Sequence, residues 1–118
     1  MLLQIDHHSG QPIYRQVMDQ IRRQILAGHL PEGEQLASVR DLAAQLKVNP
    51  MTISKAYSLL EIEGLLERRR GVGLFVARIR RDQKSRTKSQ MLEQILARAV
   101  ATAVQLDIPE AQVHELIE

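Results

Sequence analysis

The chain has 118 residues, enough for one domain and a small appendage, and 44% of them are hydrophobic but only 3% aromatic, so the core must be aliphatic. The absence of cysteine excludes a disulfide framework and a thiolate metal site, and no apolar run approaches the roughly 18 residues of a membrane span. A net charge of +2 hides an uneven spread: six basic and seven acidic groups over residues 1–63, nine and two over 64–88, one and five over 89–118.

Residues 1–11 read as an irregular or extended arm, without a signal-peptide pattern, and a cytoplasmic protein is the expectation. Pro12 suits the first turn of a helix, where its missing N–H is not needed. Ile13, Val17, Ile21 and Ile25 recur every four residues, and Gly28 supplies a stop, so the first helix is predicted from about Pro12 to Ala27. Pro31 and Gly33 break the chain into a loop.

Ser38 is placed to cap a second helix whose apolar face is Val39, Leu42, Ala43 and Leu46. Lys47-Val48 forms a tight turn. Asn49 then caps a third helix, with Pro50 at its first position and Gly64 beyond its end. At 100° per residue, Ile53, Ala56, Tyr57 and Leu60 face a core. Met51, Ser54, Lys55 and Ser58 face away from it, with Thr52 on the flank. Leu65–Arg69 and Leu74–Ala77 read as two strands joined through Arg70-Gly71-Val72-Gly73, whose glycines permit a tight hairpin tip.

Two helices on a short turn, followed by a glycine-tipped basic hairpin, describe a winged helix-turn-helix. The fold class is mainly α with a small β-hairpin wing, a shape that offers one helix to the major groove of DNA. The expected DNA-binding residues are Ser38 and Arg40 on the second helix, and Asn49, Met51, Thr52, Ser54, Lys55 and Ser58 on the third. The wing adds Arg68, Arg69, Arg70, Gly71 and Gly73. Arg40 stands near the start of its helix, where the dipole disfavours a cation, so a role toward DNA explains it better than helix stabilisation. The expected partner is double-stranded DNA. A winged helix that docks another protein stays open as the alternative, with Met51, Leu59 and Ile62 as its apolar surface.

From Arg78 to Ser89 the composition is polar and basic, and a linker is expected over 78–89. Helical periodicity returns from about Gln90 to Leu106, and Pro109 opens a short last helix. The stripe Leu92, Ile95, Leu96, Ala99, Ala103 and Leu106, continued by Val113, Leu116 and Ile117, is too large to bury between two short helices. A second copy of the chain is the simplest cover, so residues 90–118 are expected to hold a homodimer, behind a DNA-binding domain over 1–77.

No enzymatic signature is present: no nucleophile lies near a base, and Gly71-Val72-Gly73 does not precede a helix as a dinucleotide fingerprint must. No cofactor is expected. His7, His8, His29 and His114 lack metal-ligand spacing and read as surface residues.

On the stretches PIYRQVMDQIRRQILAGHL, SVRDLAAQL and VNPMTISKAYSLLEIEGLLERRRGVGLFV, the chain closely resembles the GntR family of bacterial transcription regulators over residues 12–77. The NPMT start, the KAY triplet and the small C-terminal region resemble its YtrA subfamily. The resemblance implies a homodimeric repressor at an inverted-repeat operator, often of its own operon or of transporter genes beside it. Arg40, Thr52, Ser54, Lys55, Gly71 and Gly73 match positions implicated in DNA contact. Pro50 and Ser54 stand where many members carry arginine, and Ala37 where many carry proline, so the usual half-site sequence does not transfer. The C-terminal segment is too short for a ligand domain of ordinary size. A small-molecule effector, where one exists, is expected at the dimer interface or between the helices and the winged domain.

Overall fold

Helix α1 (Ile13–Leu26) begins at Pro12, which occupies the cap position with φ −56° and ψ 147°, and buries Val17, Met18, Ile21, Ile25 and Leu26 on one face. The computed structural model describes residues 1–118 apart from the side chain of Arg81, and Met1–Arg80 and Arg81–Glu118 form two separate units.

The arm before α1 is extended because glutamines on the helix bind its backbone. Gln16, Gln20 and Gln24 recur every four residues and so share one face. The Gln20 amide accepts from the Gln4 N–H at 2.8 Å and donates to the Gln4 carbonyl at 2.6 Å. Gln16 does the same to Asp6, at 2.8 and 2.9 Å, and also donates to the Gln11 carbonyl. Gln24 donates to the Leu2 carbonyl at 2.8 Å. Leu3 and Ile5, between these anchored residues, turn toward the core. Gln16 is the one buried polar side chain among the described residues, and these bonds satisfy its amide.

Helix α2 (Val39–Leu46) starts where Ser38 Oγ accepts the Asp41 N–H at 3.1 Å. It ends at Lys47, which adopts a left-handed conformation (φ 56°, ψ 48°), while the Val48 N–H reaches back to the Ala43 carbonyl at 3.0 Å. This closure makes the turn between the two helices short, with lysine where glycine is usual. Helix α3 (Pro50–Ile62) follows, capped by Asn49 Oδ1 on the Met51 N–H at 2.9 Å. Both α1 and α2 pack on α3, and Ile53, Ala56 and Leu60 are completely buried between them. The Arg22 guanidinium ties α1 to the end of α3 by pairing with Glu63 at 2.5 Å, and it pairs with Asp19 at 2.8 Å on its own helix.

Strands β1 (Leu66–Arg69) and β2 (Gly73–Val76) form an antiparallel hairpin in the register Leu66↔Val76 to Arg69↔Gly73. Residues 33–36, expected as loop, also run along β2: Gln35 bridges Phe75, the Leu36 N–H donates to the Leu74 carbonyl and the Val76 N–H to the Glu34 carbonyl, both at 2.9 Å. The hairpin is thus backed on one edge, which a lone two-stranded ribbon needs to persist in water.

The Tyr57 hydroxyl donates to the Ala37 carbonyl at 2.8 Å and anchors α3 to the segment before α2. Burial raises its pKa above the ordinary value of 10.0. The phenol therefore ionises first in the unfolded chain, and its contribution to folding stability is full below pH 10 and is lost as pH rises beyond it. Tyr57→Phe is expected to cost about 1 kcal/mol at neutral pH and to flatten this alkaline loss. Chemical denaturation at pH 7 and pH 10.5 checks both.

The second unit consists of α4 (Arg81–Gln105) and α5 (Glu110–Ile117). The linker expected over 78–89 is corrected here: the chain is helical from Arg81, not from about Gln90. Arg, Lys, Gln and Ala are strong helix formers, and no Gly or Pro interrupts residues 78–105. A basic, polar composition signals exposure to water, and exposure is compatible with helix. Asp82 lies in the first turn, where a carboxylate offsets some of the cost of cations near the helix start. The boundary between the units accordingly falls after Arg80.

Candidate nucleic-acid interface

The rotational phase of α3 decides what it offers to a partner. Ile53, Ala56, Tyr57 and Leu60 are at most 2% exposed, whereas Met51, Ser54, Lys55 and Ser58 stand in solvent and Thr52 is half-buried. The outward face agrees residue for residue with the one read from the periodicity. Short hydroxyl side chains at Thr52, Ser54 and Ser58, on a helix without bulky acids in its first half, suit close approach to base edges and phosphates.

Three elements converge beside it. Ser38 at the start of α2, Ser54 and Tyr57 of α3, and Arg68, Val72 and Gly73 of the hairpin line one shallow groove of about 210 Å³. Ser38 and Asn49 each spend a side-chain oxygen on a helix cap, so their first role is to set the helix starts.

The cations expected to bind DNA separate into two groups. Lys55 Nζ lies 4.0 Å from the centre of the Tyr14 ring of α1, and the Arg69 guanidinium lies 4.0 Å from the Phe75 ring. Arg68 pairs with Glu61 at 3.3 Å. Arg40, on the first turn of α2, and Arg70, at the hairpin tip, are exposed and make no ion pair or ring contact among the described residues. Exposed ion pairs and cation–π contacts are each worth only about 1 kcal/mol or less, so they bias the first three cations without locking them. Arg40 and Arg70 are available to a phosphate or a base with nothing to give up.

The hairpin tip is shaped by its glycines. The Val72 N–H donates to the Arg69 carbonyl at 3.0 Å, closing a turn with Gly71 at φ 77°. A side chain there is strained, which explains glycine in the third place of the turn.

Three participants escaped the sequence reading: Tyr14 under Lys55, Glu61 beside Arg68, and Gln35 against the hairpin. Each lies on a different element from the residue it touches, so periodicity along one element does not reveal the contact. Among the described residues no group of three or more His, Asp or Glu is placed to hold a metal ion, and no helix is long and apolar enough to cross a membrane.

In the second unit, Ile95, Leu96, Ala99, Ala103, Val113, Leu116 and Ile117 line a common apolar groove of about 470 Å³ between α4 and α5. Leu92 and Leu106 belong to the same expected stripe but lie outside that groove. Ala103 is buried within the unit, while Leu92, Leu106, Leu116 and Ile117 are more than half exposed.

A capped helix with one face open to solvent, beside a basic, glycine-tipped hairpin on a three-helix core, is the architecture of a winged helix-turn-helix transcription regulator. The family model described as bacterial regulatory proteins, gntR family, matches residues 13–76, and the chain belongs to that family. The HTH-type transcriptional repressor YtrA of Bacillus subtilis (strain 168) is 34% identical over 117 residues, covering 99% of this chain and 90% of that protein. A GntR family transcriptional regulator from Listeria monocytogenes superposes with a TM-score of 0.80 at 27% identity, covering 96% of each chain. YtrA from Sulfolobus acidocaldarius superposes with a TM-score of 0.67 at 36% identity, covering 86% of this chain and 99% of that one. The protein is thus a DNA-binding transcriptional regulator, and its family is not one of enzymes.

Proposed function

We propose that the protein is a homodimeric repressor that binds an inverted-repeat operator, at its own operon or a neighbouring transporter operon. The observation that carries the reading is the pairing, in one short chain, of a solvent-facing recognition helix with a second unit whose apolar stripe is left uncovered. Two copies joined through α4 and α5 would present two α3 helices at once. A dimer of such modules reads half-sites about one helical turn, or roughly 34 Å, apart. Met51, Thr52, Ser54 and Ser58 face the bases, with Arg40 beside them and Lys55 within reach from its seat on Tyr14. Arg68, Arg69 and Arg70 carry the hairpin, with Gly71 and Gly73, onto the flanking phosphates or minor groove. Repression is supported by the name of the relative that matches nearly the whole chain, YtrA of Bacillus subtilis.

The protein-docking alternative needs a continuous apolar patch on α3. Of the three residues expected to form it, Leu59 is half-buried against the core, and the two highly exposed ones, Met51 at 77% and Ile62 at 80%, are eleven positions apart. At 1.5 Å per residue that is about 16 Å, too far for one patch.

Sequence-selective binding tests the proposal. A duplex selected from a random-sequence pool by the protein is expected to bind with nanomolar affinity, about a thousand-fold or more above a scrambled duplex, in fluorescence anisotropy. Equal, weak binding to both would refute it.

A further inference from the structure

The geometry points to Gln35 as a positioning residue that fixes the hairpin tip relative to α2 and so sets where Arg70 meets DNA; the inference rests on the DNA-binding reading above. Gln35 lies outside the helix-turn-helix and outside the hairpin, on the short segment that backs β2. Its amide Nε2 donates to the Val72 carbonyl at 3.1 Å. The turn bond from the Val72 N–H to the Arg69 carbonyl and the ladder pairing of Arg69 with Gly73 are internal to the hairpin. Gln35 therefore supplies the one described tie from the tip to the rest of the domain.

Gly73 makes that tie possible. A Cβ at position 73 would sit 2.9 Å from Gln35 Nε2, closer than side-chain atoms pack, and Gly73 has φ 143°. The glycine is thus the seat of the amide as well as part of the turn. Three residues after Gln35 the chain enters the Ser38 cap of α2, and Arg40 follows in the first turn. The amide consequently couples two cations without an ion pair among the described residues, Arg70 at the tip and Arg40 on α2, through a few residues of fixed backbone. Without it, the tip must be ordered at the moment of binding, and that ordering lowers affinity.

Gln35 is exposed, so its replacement leaves the core intact. Gln35→Met keeps the stem and removes the donor. With the duplex selected by the wild-type protein, Gln35→Met is expected to weaken binding by about three- to tenfold at an unchanged melting temperature, and to shallow the salt dependence by about one unit. The loss caused by Arg70→Ala should be clearly smaller in the Gln35→Met background than in the wild type, because an untethered tip no longer places that guanidinium. NMR relaxation should show the Gly71 and Val72 amides becoming more mobile in the variant. Wild-type affinity for Gln35→Met, or an undiminished Arg70→Ala loss in that background, overturns the inference while leaving the DNA reading intact. A wild-type protein that does not distinguish selected from scrambled duplex overturns the reading itself, and the inference with it.

Discussion

Leu96→Glu is expected to convert the protein to a monomer and to lower its affinity for the selected duplex by on the order of 10²–10⁴-fold. Leu96 lies in the α4–α5 groove and is 41% exposed. A carboxylate there cannot be buried without a partner, so a second copy would be excluded. Glutamate is a good helix former, so α4 itself should persist. The affinity falls steeply because the second half-site, once bound intramolecularly at an effective concentration in the millimolar range, becomes an independent weak event. Sedimentation equilibrium should give a mass near 13.4 kDa for the variant and twice that for the wild type. The winged unit, with its own core, should melt at an unchanged temperature. A variant that stays dimeric would remove the second unit from the assembly.

Arg40→Ala is expected to cost about 1–3 kcal/mol of binding free energy and to relax sequence preference at one position of each half-site. Arg70→Ala should weaken selected and scrambled duplexes alike and shallow the salt slope by about one unit, as loss of a phosphate contact does. The two should exceed Arg68→Ala, because Arg68 divides its charge with Glu61 whereas Arg40 and Arg70 make no ion pair among the described residues. Anisotropy titrations at several salt concentrations, with single-base variants of the duplex, separate base reading from phosphate contact. If Arg68→Ala costs more than Arg40→Ala, the ranking by intramolecular partners is wrong.

Much of this candidate interface was legible in the chain itself. A capping residue before an apolar period marks a helix start, and both Ser38 and Asn49 cap as read because the first turn leaves N–H groups that a short side-chain oxygen satisfies. The outward face of α3 followed from a 3.6-residue period alone. Other features depend on what a residue meets in space. The arm looked irregular because its order comes from Gln16, Gln20 and Gln24, whose four-residue spacing is visible but whose partners are backbone groups with no signature. Residues 33–36 lie along β2 because the hairpin offers a free edge, and nothing in their composition announces it. Lys55 points outward by phase yet turns its ammonium onto Tyr14, since a long flexible stem can reach the neighbouring helix. The start of α4 at Arg81 is not legible in composition, because a basic, polar run fits a solvated linker and an exposed helix equally well.

Titration of the selected duplex, followed by both anisotropy and sedimentation, tests the central claim most directly. Two chains per duplex, a preference of about a thousand-fold over the scrambled sequence, and a steep fall in affinity with salt are the expected results. One chain per duplex, or no preference between sequences, would contradict a dimeric, sequence-reading regulator.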